Sequence, residues 1–155
     1  FPTIAAGTTM NNTTNYKFRG LATSAEYADL AERYAADKKY TAGTVVKLGG
    51  THEITQTTEN GEDAVFGIVS SAPGFEMNAG AGTDATHPFV ALAGRVPCKV
   101  IGEISKGDRL VSSKVPGHAR VENPEYHTWR QVIGRALEDK TTAGKGTIEV
   151  VVGAK

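Results

Sequence analysis

The chain has 155 residues, enough for one domain that buries most of its apolar surface without staples, and its 17 Lys and Arg balance 17 Asp and Glu. That balance gives no basic footprint for nucleic acid and no polybasic membrane signal, and the apolar runs are too short for a transmembrane helix. A single cysteine, Cys98, excludes an intrachain disulfide framework and leaves almost nothing for a cysteine-based zinc site.

Residues 1–22 are small and polar with no sustained period, which predicts an extended arm or linker that orders against a partner. Residues 1–10 show no basic start followed by an apolar run, so no signal peptide is expected. The first residue is Phe1 rather than Met, as expected of a processed chain or a piece of a longer one. Asn11 and Asn12 each begin an N-x-T sequon, read here as part of a threonine-rich arm.

Residues 23–37 are the helix candidate. Thr23 followed by Glu26 is a capping-box pattern, and Tyr27, Leu30, Ala31 and Tyr34 fall on one helical face. After Gly43 the pattern changes to β-branched runs separated by turn residues. Strands are predicted over 44–48, 51–57, 64–70, 88–93, 95–101, 109–113, 118–121, 129–138 and 146–152. The stretch 129–138 also fits a helix, but Gly134 weakens that alternative. The Gly/Ala-rich stretch 78–83 reads as a mobile surface loop. The expected fold is therefore mainly β: a sandwich or small barrel of short strands over 23–155, with an arm over 1–22 and one short helix.

Several residues invite a chemical reading. Asp29 and Glu32, three apart, would share a face of the expected helix; two close carboxylates can act as acid and base, and the alternative is a solvated acidic edge. His118, Glu122, Glu125 and His127 lack the spacing of a zinc helix and are interrupted by Pro124, so they read as a polar loop. His52 and His87 stand apart, as surface or capping residues. Cys98, inside an apolar strand with no base near it in sequence, reads as a small buried hydrophobe. Phe75, Tyr126 and Trp129 lie near predicted loops, where aromatics serve as core or interface anchors or as platforms for sugars. No cofactor and no metal is expected.

The segments YADLAERY (27–34), YTAGTVVKLGG (40–50), VFGIVSSAP (65–73), VALAGRVPCKV (90–100), GDRLVSS (107–113) and VIGRALEDK (132–140) together resemble a C-terminal module of tailed-phage fibre and appendage proteins. The resemblance spans roughly residues 17–153. It implies a virion structural role, with the chain a homotrimer that contacts other virion proteins through its N-terminal arm and presents a surface; a host glycan is the partner expected if the loop aromatics serve as sugar platforms. ADLAE (28–32) followed by GIVS is also similar to auto-processing chaperone domains of phage neck appendages. That similarity implies self-cleavage between Ala28 and Asp29 with Glu32 as the catalytic glutamate, although Ala28 stands where a serine fits the pattern better. A capsid decoration protein is the other class this composition suits.

Overall fold

The structure is a computed structural model that describes residues 29–153. The arm expected over 1–22 and the start of the expected helix lie outside the described residues. The chain is mainly β: a closed five-stranded barrel with further strands added to it. The strands are β1 (Asp29–Arg33), β2 (Val45–Leu48), β3 (Ile54–Gln56), β4 (Val65–Ser70), β5 (Phe75–Met77), β6 (Phe89–Ile101), β7 (Arg109–Ser112), β8 (Ala119–Val121), β9 (Val132–Ala136) and β10 (Lys145–Val152). Two short 3-10 turns, Ala79–Ala81 and Trp129–Gln131, interrupt the loops.

β6 organises the molecule. Its second half pairs antiparallel with β10, from Lys145 opposite Ile101 to Val152 opposite Gly94. β10 pairs β9, β9 pairs β7 and β7 pairs β8. β8 returns to β6 in parallel at Ala119 and Val100, which closes the ring. Alternation then decides what faces inward. Val96, Cys98 and Val100 on β6 and Ile148, Val150 and Val152 on β10 are buried with Leu110, Ile133 and Ala136.

The first half of β6 carries the rest of the sheet. One edge pairs β4, which leads to β2 and β3; the other pairs β1, which in turn pairs β5. Asp29 and Val152 both stand opposite Gly94, so β1 ends on β6 where β10 begins. Gly94 has φ +98°, a conformation glycine adopts without the strain a Cβ brings. The two predicted strands over 88–93 and 95–101 are thus one strand bent at this glycine.

This outer sheet is covered on both faces. Val45, Ile68 and Ala91 join the barrel core. Val46, Ile54, Val69 and Val90 pack on the other side under Ala36 and Tyr40, with Tyr34 and Phe66 in edge-to-face contact at 4.9 Å.

The helix expected over 23–37 is corrected where the residues are described. Residues 29–33 are β1, with Asp29 and Ala31 buried and Leu30 and Glu32 less so. A helix this short is marginal on its own, and the open edge of β6 offers a complete ladder instead. The strand expected over 129–138 begins only at Val132, after the 3-10 turn. β5 was not expected at all: FEM is too short to show a period, and it pairs only with β1 among the described strands.

Candidate functional site

Two neighbourhoods gather residues with chemical potential. The first is the start of β1. Asp29 is buried, and its main-chain oxygen accepts from the Gly74 N–H at 2.9 Å. The same N–H reaches Asp29 Oδ1 at 3.2 Å, while Oδ2 is buried without a partner among the described residues. Glu32 accepts at Oε2 from the Tyr34 hydroxyl at 2.7 Å. Burial, followed by that hydrogen bond, pushes the Tyr34 phenol up to about 12, so it stays a neutral donor. Residues three apart on a strand point to opposite faces, so the shared helical face expected for Asp29 and Glu32 does not exist. The structure does not bring the two carboxylates together along β1.

Beyond β1 the segment is fastened by polar contacts that the sequence reading missed. The Arg33 guanidinium stacks 3.9 Å from the Phe89 ring centre. Its Nη1 donates to Asp84 at 2.9 Å and to the His87 carbonyl at 2.6 Å. The Tyr40 hydroxyl donates to Asp37 and accepts from the Gln56 N–H at 3.0 Å. Thr55 donates to the same carboxylate at 2.9 Å. Burial alone would raise Asp37, but the hydrogen bonds from Tyr40 and Thr55 outweigh it and hold the carboxyl below its ordinary value.

The second neighbourhood is the loop between β8 and β9. Asn60, Arg120, Asn123, Tyr126, His127 and Gln131 line an open cleft of about 440 Å³. The loop is internally tied. His127 Nδ1 accepts from the Asn123 N–H at 2.9 Å, which fixes the tautomer protonated at Nε2. Gln131 accepts from the Thr128 N–H at 2.7 Å and donates to the Gly61 carbonyl at 2.6 Å. Tyr126 and Trp129 remain 75% and 67% exposed, so neither serves as a core anchor here.

The remaining candidates are separated. His118 Nδ1 donates to the Pro116 carbonyl at 2.8 Å, and Glu122 faces Arg109 at 3.9 Å. No group of three or more His, Cys, Asp or Glu side chains among the described residues is arranged to hold a metal ion. His52 lies beside Thr51, and His87 beside Thr86. Cys98 is fully buried, and burial pushes its thiol up to about 12, so it holds almost no thiolate at neutral pH. Phe75 sits on the outer strand β5, 63% exposed and remote in sequence from the Tyr126 loop. No helix among the described residues is long and apolar enough to cross a membrane. Comparison with protein-family models and with curated proteins finds no match to this chain.

Proposed function

We propose that this chain is a structural module of a phage virion, in a tail fibre or appendage. It works as a homotrimer whose N-terminal arm, residues 1–22, connects the β body to a shaft, sister chains or another virion protein. The observation that carries the reading is how β1 is built in. Asp29 to Arg33 pair along β6, the strand that also forms the barrel wall. β1 is thereby joined along its whole length to the strand that continues into the barrel. A strand seated this way suits a mechanical attachment.

Two further features support the proposal. The segments that resemble fibre modules coincide with β1, β2, β4, β6, β7 and β9, the strands that set the framework. Leu48 and Phe75, 50% and 63% exposed, lie on the outer sheet and offer apolar contacts to sister chains. Sedimentation equilibrium of the full chain should give the trimer mass, and Phe75→Glu should shift it toward monomer. A wild-type chain that stays monomeric at every concentration overturns the trimer. Binding to empty capsids instead would favour the decoration role.

Self-cleavage between Ala28 and Asp29 is the second reading, and one observation favours it: the buried, unpartnered Oδ2 of Asp29 beside that bond. Intact-mass measurement decides. A shortened wild type with a full-length Glu32→Ala variant supports cleavage, and an uncut wild type ends it.

A further inference from the structure

We propose that the cleft beside the β8–β9 loop binds an acidic saccharide, with Arg120 receiving the carboxylate and Tyr126 stacking on a sugar ring. Arg120 stands on β8 between buried Ala119 and half-buried Val121, so its side chain points out of the barrel. None of the described residues pairs with its guanidinium. Asn60 and Asn123 spend their side-chain carbonyl oxygens on the N–H groups of Lys114 and Glu125, each at 3.0 Å. Their amide NH2 groups are thereby left as donors toward the cleft.

A lining of guanidinium and amide donors calls for a ligand rich in acceptors. Sugar hydroxyl and ring oxygens and a carboxylate supply them, and a guanidinium binds a carboxylate through two parallel hydrogen bonds. Tyr126 gives the flat, exposed face on which the C–H side of a pyranose packs. Trp129 stands two residues from cleft-lining Gln131 and adds a second aromatic face to the same loop.

The cleft continues into a second one. A neighbouring cleft of about 430 Å³ shares Asn60 and Arg120 and extends past Lys114 to Glu103. The two together suit consecutive residues of an oligosaccharide. Single-stranded nucleic acid also stacks on aromatics, but it needs a track of cations along its phosphates. Here the cations are Arg120 and Lys114, with Glu103 in the path and Glu125 in the loop, which suits a saccharide that carries a single acidic residue rather than a polyanion.

Trp129 is the chain's single tryptophan, so fluorescence of the intact protein reports directly on this loop. The probes are two oligosaccharides with one carboxylate each, sialyllactose and a glucuronosyl-xylobiose, the neutral methyl ester of sialyllactose, and a short thymidine oligonucleotide. At least one acidic oligosaccharide should give a saturable change. Methyl esterification or Arg120→Gln should weaken binding about tenfold, and Tyr126→Ala about fivefold. Both side chains are exposed, so each variant should keep the wild-type Tm. Backbone amide NMR shifts should map to residues 120–131, a readout independent of the tryptophan. The proposal is overturned if neither acidic oligosaccharide binds, if the ester binds as well as the acid, or if the oligonucleotide binds more tightly than both.

Discussion

The barrel and the outer sheet share β6 but are held together differently. Inside the barrel the contacts are apolar: Val96, Cys98, Val100, Leu110, Ile148 and Val150 are essentially inaccessible, and the ring of strands closes on itself. The outer sheet has apolar packing of its own, with Val46, Ile54, Val69 and Val90 buried, and adds specific polar fastenings to it. Arg33 clamps Phe89, Asp84 and the His87 carbonyl, and Tyr40 ties Asp37 to the main chain of β3. Apolar closure gives stability without much direction. Hydrogen bonds add less net energy but fix geometry. The difference assigns the barrel to holding the fold and the outer sheet to seating β1 in one defined register.

The largest expected effect lies in the barrel. Leu110→Ala leaves a cavity among fully buried neighbours, and should cost about 2–5 kcal/mol by denaturant unfolding. The outer sheet should unfold with it, because β4 and β1 both pair with β6, and Val45, Ile68 and Ala91 belong to the same core as Leu110. A smaller effect belongs to the outer sheet. Tyr40→Phe removes the bond to Asp37 and leaves the Gln56 N–H without its acceptor, a loss of about 1–3 kcal/mol. Hydrogen exchange should accelerate around residues 34–40 and 54–56 while β10 keeps its protection. If β10 loosens equally, the two regions are one cooperative unit.

The sequence made most of the barrel legible, because its strands alternate cleanly. Val96, Cys98 and Val100 on β6 and Ile148, Val150 and Val152 on β10 repeat every second residue, and only one side of such strands meets the core. β1 was misread for a physical reason. Asp-Leu-Ala-Glu-Arg has ordinary helix formers and a helical spacing, and nothing local reveals that the edge of β6 waits for it. The same limit hid the Arg33 and Tyr40 contacts, whose partners lie up to 54 residues away in the chain. The candidate site was half legible. Tyr126 and Trp129 marked themselves as aromatics in a loop, but Arg120 read as an ordinary strand residue until the fold placed it beside Asn60.

The smallest effect is a pH dependence confined to the outer sheet. Asp37 is held below its ordinary value, so the unfolded chain takes up its proton first as pH falls. The stabilisation from this carboxylate is therefore complete above about pH 4 and is lost as pH falls through the lower folded value. Asp37→Asn should flatten the acid limb of the stability profile. An unchanged limb would mean that the Tyr40 and Thr55 bonds do not distinguish the charged form.

Residue-resolved hydrogen exchange of the full-length protein tests the division between the two regions most directly, because β6 serves both. Amides of 95–101 and 145–152 should exchange only through global unfolding, with a free energy that matches denaturant unfolding. Amides of 29–33 and 75–77 should exchange through a smaller opening that leaves the barrel closed. Equal free energies for β1, β5 and β10 would contradict the account, since the outer sheet would then be part of the same closed unit as the barrel rather than a seat fastened onto it.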